Sequence, residues 1–172
     1  EASAQRTSMG IGIIGGLLDT GNKMTKAQAS ALANDKTGLF DLVNHTYSHV
    51  YLTDPGGVPL MTESEWIADA LKNAAFLRSE IGVRGDGPMH VMYPGGRNTF
   101  ALYGALRDAG FLTGRDVQYC WQHGQDQTLG AGDDLGRYVL SVLTAMEETT
   151  KSVADVKTAI DQCVTRNEFG IL

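Results

Sequence analysis

Two histidines, His45 and His49, lie four residues apart in the stretch VNHTYSHVYLT, directly after a short apolar run. An imidazole nitrogen binds a metal ion at about 2 Å, and residues four apart on a helical turn point to the same side. The spacing therefore permits both rings to bind one ion. Two partly exposed histidines in a polar turn give the same pattern, so the spacing alone leaves both interpretations open.

A second stretch that could take part in chemistry is MYPGGRNTF, residues 92–100. Its Tyr-Pro-Gly-Gly turn has little side-chain bulk, so its backbone amides can approach a ligand and donate hydrogen bonds to a developing oxyanion. The alternative is a strand-to-helix turn in which Asn98 or Thr99 caps the next helix, and both interpretations can hold together. Arg97 either caps nearby carbonyl groups or contacts a ligand.

The elements that must position these stretches alternate between strand and helix. Apolar runs predict strands at 9–14, 40–44, 89–94, 137–143 and 169–172. Helical periodicity and capping boxes predict helices at 25–35, 62–82, 98–110 and 152–167. The stretch 118–136, rich in Gly, Gln and Asp, is predicted to be a long surface loop.

This alternation is typical of an α/β fold with a parallel sheet and crossover helices, either open or closed into a barrel. In such folds ligand sites gather where strands pass into the following loops. Both the histidine stretch and the Tyr-Pro-Gly-Gly turn follow predicted strands, which favours a functional site over two isolated polar turns.

Composition limits the classes of partner. A chain of 172 residues that is 42% hydrophobic can bury one good core, so a single domain spanning 1–172 is expected. A net charge of −6 argues against nucleic acid or an anionic membrane surface as the main partner. No apolar run approaches the roughly 20 residues of a spanning helix. Cys120 and Cys163 lack a CxxC neighbour, which favours packing over a disulfide or a zinc knuckle.

Taken together, in this order and at this separation, the two stretches resemble motifs of the polysaccharide deacetylases, the carbohydrate esterase family 4 relatives of chitooligosaccharide deacetylase. NHTYSHVYL is similar to the family's metal-binding motif, His-Ser/Thr-x-x-His, and MYPGG to its Arg-x-Pro-Tyr-Gly motif in the branch where the arginine is replaced. The flanking segments also resemble the family, so the resemblance spans most of the chain, although only the two motifs are specific.

The resemblance implies a distorted (β/α) barrel that holds a divalent cation, often zinc, through His45, His49 and an aspartate. It implies removal of acetyl groups from N-acetylated or O-acetylated polysaccharide by attack of a metal-bound water. Gly95 would supply the backbone amide that stabilises the oxyanion, while Tyr93 and Pro94 shape the substrate-binding wall. An extracellular or cell-envelope location is implied as well.

Two motifs of the family are absent from this sequence. The Thr-Phe-Asp-Asp-Gly motif supplies the general base and the third metal ligand, and a Leu-x-His motif supplies the general acid. The barrel is therefore expected to be incomplete at both ends, either because the chain is the interior of a longer enzyme or because it is a complete but degenerate protein. Asp133-Asp134 lies in the wrong order for the missing pair and is expected in a solvated turn.

Several other residues are weaker candidates for the site. Asp19, Asp116 and His123 are alternatives for the third metal ligand. Trp121 either stacks on a sugar ring or anchors its loop, and Trp66 is expected in the core or at the rim of its helix. The alternative function is a non-catalytic carbohydrate-binding or structural module that retains the two histidines. A metal-dependent hydrolase with an unrelated substrate is a third option, since a fold alone does not fix function.

Overall fold

The computed structural model describes residues 9–119 and 140–142. The strands are β1 (Met9–Ile13), β2 (Phe40–Asn44), β3 (His90–Met92), β4 (Thr113–Tyr119) and β5 (Leu140–Val142), and the α-helices are α1 (Lys26–Ala33), α2 (Glu63–Phe76) and α3 (Phe100–Asp108). Short 3-10 turns cover Gly15–Leu17, Gly87–Met89 and Pro94–Gly96, and a π-helical turn, Leu77–Ile81, extends α2.

The five strands form one parallel sheet in which spatial order follows chain order, β1-β2-β3-β4-β5. The β1–β2 pairing is extensive, with five residue pairs from Met9–Phe40 to Ile13–Asn44. The β2–β3 pairing is sparse, with the single pair Asn44–Val91. The predicted α/β fold with a parallel sheet is therefore confirmed.

The helices begin and end where the sequence predicts, to within a few residues. Thr25 and Gln28 form a capping box at α1, and Thr62 and Glu65 form one at α2, so the first unpaired amides of both helices are satisfied. Gly82, with φ of 83°, follows the π-helical turn in the left-handed conformation that ends many helices.

All three α-helices pack on the same face of the sheet. One core cluster joins α2 and α3 to β3, and a second joins α1 and the π-helical turn to β1 and β2. The members of the first cluster include Trp66, Ala70, Val91, Tyr93, Leu102 and Leu106, and those of the second are Ile13, Ala29, Leu42, Leu77 and Ile81. The opposite face carries Gly10, Gly12 and Met92, since a Cβ built on either glycine would contact the Met92 side chain.

The largest departure from the predicted elements is β4. No strand was expected at Thr113–Tyr119, and the last two residues of β4 fall inside the predicted 118–136 loop. The backbone of TGRDVQY is extended because it pairs with both β3 and β5, which overrides the weak strand propensity of Gly and Asp. Within the predicted strand 137–143, β5 covers Leu140–Val142.

Other predictions lie outside the described residues: the helix at 152–167, the strand at 169–172, both cysteines and the Asp133-Asp134 turn. Among the residues described, no helix combines the length and the apolar character needed to cross a bilayer.

Candidate metal centre

The ring of His45 is oriented by the backbone of the neighbouring strand. Its Nδ1 lies 2.8 Å from the carbonyl oxygen of Met92, so Nδ1–H donates to that oxygen and the Nε2 lone pair is left available. Burial lowers the pKa of His45 below its ordinary 6.5, the Met92 hydrogen bond opposes this, and the charges of His49 and Arg115 lower the pKa further. His45 is therefore held neutral, which is the form that binds a metal ion.

His49 lies beside His45, with ring centroids 4.9 Å apart and ring planes at 60°. The two histidines do not lie on a helical turn, because residues 45–50 form no helix. Instead Thr46 (φ 60°) and His49 (φ 55°) adopt the left-handed conformation, which is uncommon for residues other than glycine. The loop 45–49, called the histidine loop below, thus brings the two rings together by a strained backbone.

A buried pair of asparagines fixes the start of the histidine loop. Both Asn44 and Asn73 have no exposed surface. The Asn44 amide donates to the carbonyls of Ala70 (2.8 Å) and Pro88 (3.1 Å), and its oxygen accepts from the Thr46 amide (2.9 Å) and from Asn73 (2.9 Å). All four hydrogen-bonding positions of Asn44 are therefore occupied, and the network ties β2, α2 and the loop into one unit.

Asn73 extends this network to β1. Its Nδ2 donates to the carbonyl of Ile13 at 2.8 Å, and its Oδ1 accepts from the amide of Gly15 at 3.0 Å. A Cβ at Gly15 would lie 2.5 Å from Asn73 Oδ1, so glycine is required for this approach. The C-terminal ends of β1 and β2 are therefore held at a fixed distance from α2.

Asp69 holds the middle of the histidine loop from the side of α2. Its carboxylate accepts from the amides of Tyr47 (2.8 Å) and Ser48 (2.9 Å) and from the Ser48 hydroxyl (2.8 Å). Hydrogen bonds to a charged acceptor are roughly twice as strong as neutral ones. Asp69 therefore acts as an anchor for the loop backbone between the two histidines.

The glycine turn, residues 93–96, follows β3 at the same edge of the sheet. Gly95 (φ 61°) and Gly96 (φ 66°) both lie in the left-handed region. A Cβ at Gly95 would come within 2.7 Å of Tyr51 Cε1, so close packing and backbone conformation both require glycine there. Gly95 is exposed, which leaves its backbone accessible to a ligand.

A row of side chains in contact connects the two loops. The Tyr51 ring lies 5.4 Å from the His49 ring, and the Arg97 guanidinium carbon lies 4.4 Å from the Tyr51 centroid. Arg97 also donates from Nη1 to the carbonyl of Thr53 at 3.0 Å. The first of the two roles considered for Arg97, capping a carbonyl group, is thus seen in the structure.

The remaining candidates are placed less favourably. Tyr93 is 1% exposed and packs on Trp66, which is itself in the core, and Pro94 is buried. These two side chains therefore support the turn from beneath, where the resemblance implies a substrate wall. Asp19 is exposed and accepts from the backbone amide of Lys26. Within 9–119 and 140–142, no cluster of three or more His, Cys, Asp or Glu side chains could hold a metal.

For three further candidate residues the structure describes either the backbone alone or nothing. Asp116 lies in β4, where the backbone alone is described, and Trp121 and His123 lie outside the described residues. Two neighbouring histidines, of which His45 has its tautomer fixed by the Met92 carbonyl, fit the donor set of a zinc ion, with further ligands needed to complete it. The third ligand is not found among the described side chains.

Comparison with solved structures identifies the fold. A polysaccharide deacetylase from Bacillus cereus matches 93% of this chain with a TM-score of 0.68 at 13% identity. The fold is that of the polysaccharide deacetylases. A de-N-acetylase from Aggregatibacter actinomycetemcomitans matches 88% of the chain (TM-score 0.59, 16% identity), and IcaB from Ammonifex degensii matches 64% (TM-score 0.53, 19% identity).

The extent of the match also bears on what the deacetylase fold implies here. The chain spans 44%, 64% and 49% of those three structures' own lengths, respectively. No family model matches the sequence, and no curated protein matches it. The similarity at these identities is therefore a similarity of fold, and the activity is argued separately below.

Sequence reasoning missed the residues that hold the site. Asn73 falls on the buried stripe of α2, three positions after Ala70 and seven after Trp66, and a polar residue at such a position is a detectable signal. Asp69 and Tyr51 carry no comparable signal. Arg115 was missed because β4 itself was not predicted.

Proposed function

We propose that this chain forms part of a metal-dependent hydrolase that removes acetyl groups from N-acetylated or O-acetylated polysaccharide. His45 and His49 are assigned as two ligands of a divalent cation, with zinc favoured by the imidazole donors. The observation that carries the proposal is the Nδ1–H hydrogen bond from His45 to Met92, which leaves the Nε2 lone pair of a ring 4.9 Å from the His49 ring available to a metal ion.

In such a hydrolase the described residues would have separate roles. A divalent cation bound there would supply Lewis-acid polarisation of the acetyl carbonyl and would acidify water. The asparagine pair and Asp69 hold the histidine loop in its geometry before any ligand binds. The exposed Gly95 backbone would donate a hydrogen bond to the carbonyl oxygen as negative charge develops on it.

We also propose that the sheet closes into a distorted (β/α) barrel. The sequential strand order and the packing of α1, α2 and α3 on one face support this, because a parallel sheet is normally covered on both faces or closed on itself. Closure would place the opposite face, with Met92, Gly10 and Gly12, inside the barrel.

The second candidate is a carbohydrate-binding module without catalysis. It is favoured by the lack of a third acidic or histidine ligand among the described side chains. In this case the histidines would still bind metal, and Gly95 would contact a sugar without promoting a reaction.

Metal content and acetate release distinguish the candidates. Zinc is measured by mass spectrometry after equilibration in the purified chain and in the protein encoded by the full coding sequence, and acetate release is assayed on an acetylated chitooligosaccharide. We expect stoichiometric zinc, which His45→Gln and His49→Gln abolish. His90→Gln is the matched control, because this histidine bonds Thr113 in the same sheet, away from the loop.

The outcomes separate the proposals. Absence of zinc from both unmutated proteins would overturn the metal centre. Zinc without acetate release from either protein would favour the binding module. Zinc with acetate release that both loop substitutions abolish would support the deacetylase.

A further inference from the structure

Arg115 is a cation with an incomplete set of hydrogen-bond partners beside the candidate metal centre. It lies in β4 in register with Met92 of β3, and its Nη1 lies 3.5 Å from Met92 Sδ. Its Nε is buried and has no hydrogen-bond partner within the described part of the chain. A thioether is a weak acceptor, so this contact does not replace the hydration that the guanidinium loses.

Burial makes this arrangement costly. It lowers the pKa of Arg115, because a guanidinium partly removed from water is less stable in its charged form. Among the residues described, the ion pairs are Lys26–Glu80 and Arg107–Asp108, and neither involves Arg115. A buried N–H donor on a cation normally has an anionic acceptor, and the planar guanidinium fork matches a carboxylate.

The position of Arg115 connects it to the histidines through Met92. The Met92 carbonyl accepts from His45, while the Met92 side chain contacts Arg115. The methionine lies against β1, where a Cβ on Gly12 would come within 2.9 Å of Met92 Sδ and 3.3 Å of His45 Cβ. His45, Met92 and Arg115 therefore share the face of the sheet that carries no described α-helix.

We propose that Arg115 is a carboxylate-binding residue beside the histidine pair. The carboxylate comes either from a side chain of the protein or from free carboxylate such as the acetate that deacetylation releases. The second source rests on the proposed function, whereas carboxylate recognition itself does not. In both cases Nε–H and an Nη–H donate in parallel to the two oxygens.

The test observes the arginine side chain directly and requires neither metal nor activity. Proton–nitrogen spectra of the arginine Nε–H groups are recorded on the unmutated, metal-free chain, with sodium chloride, sodium acetate or neutral acetamide added at equal concentration. Arg115→Gln assigns the resonance, with Arg115→Lys in reserve if that variant does not fold. Arg84→Gln assigns the exposed Arg84 as the reference.

Each outcome decides the proposal. A downfield Arg115 Nε proton shift relative to Arg84 without acetate indicates a carboxylate of the protein. A downfield shift that acetate induces and that acetamide and chloride do not indicates a free carboxylate. A resonance that matches Arg84 under all conditions, or that responds equally to all three additives, overturns the proposal. None of these results depends on zinc binding, so failure here is distinct from failure of the metal centre.

Discussion

The histidine loop and the glycine turn lie at the same edge of the sheet, yet they are held in place by different means. The histidine loop is fixed by side chains from other elements, chiefly Asn44, Asn73 and Asp69. The glycine turn is fixed by its own backbone, with Gly95 and Gly96 at positive φ, and by contact with Tyr51. The first depends on long-range hydrogen bonds, and the second on local conformation and close packing.

This difference explains why the conformation of the glycine turn can be predicted from the sequence and that of the histidine loop cannot. The conformation of a turn that contains two adjacent glycines is determined by the residues of the turn itself. That of a loop set by partners 21 to 29 residues away, such as Asp69 for Ser48 and Asn73 for Asn44, is not. The difference also predicts that the two loops respond to substitution by different mechanisms.

The largest effect is expected from breaking the support of the histidine loop. Asn73→Ala leaves the Gly15 amide buried without its partner and removes the Asn73 donor from the Ile13 carbonyl, which keeps the His45 amide as its other donor. A buried donor left unpaired costs roughly 1–3 kcal/mol and each further hydrogen bond lost about 1 kcal/mol, so we expect the free energy of unfolding to fall by about 3 kcal/mol. Urea denaturation measures this.

The control for that variant is Asn22→Ala at an exposed position, which we expect to change stability by less than about 0.5 kcal/mol. Equal effects of the two substitutions would mean that the buried network does not hold the loop.

An intermediate effect is expected at the glycine turn. Gly95→Ala introduces both left-handed strain and a 2.7 Å approach to Tyr51, and we expect a loss of about 2 kcal/mol. Gly57→Ala is the matched control, because Gly57 has φ of 84° and open space around it. It should lose about 1 kcal/mol from strain alone.

A double-mutant cycle sharpens this comparison. In a Tyr51→Ala background the cost of Gly95→Ala should fall to that of Gly57→Ala, because the steric contact is gone. An unchanged cost in that background would show that Tyr51 does not define the turn.

The smallest effect concerns pH and His45, which bonds Met92, the last residue of β3. The pKa of His45 is lowered in the folded state, chiefly by burial, so as pH falls below 6.5 the unfolded chain binds a proton before the folded chain does. Stability contributed by neutral His45 is therefore present above that pH and is lost as pH falls. His45→Gln should flatten the decrease in unfolding free energy between pH 7.5 and 5, as followed by urea denaturation at each pH. An identical slope in both proteins would contradict this assignment.

Much of the fold was predictable because its determinants are local. The capping boxes at Thr25 and Thr62 and the left-handed Gly82 set helix ends through neighbouring residues. β4 could not be predicted in this way. Its Gly and Asp are weak strand formers, and its extended backbone depends on the strands on either side.

The same distinction between local and long-range determinants applies to the candidate site. The two histidines and Gly95 were found from spacing and turn chemistry, and their roles remain predictions. The conformation between the histidines was not predicted; the loop begins with the left-handed Thr46, whose amide donates to the Asn44 side chain. The metal ion itself, its third ligand and the extracellular or cell-envelope location also remain predictions.

The sparse pairing between β2 and β3 gives the His45–Met92 hydrogen bond a second consequence. Where β1 and β2 are joined by five residue pairs, β2 and β3 are joined by one. The imidazole of His45 therefore bridges the seam at which the sheet has the least backbone pairing, and the Asn44 amide reinforces the same seam through Pro88. The imidazole assigned to bind a ligand thus also holds the sheet together, so an event at this ring bears directly on the spacing of β2 and β3.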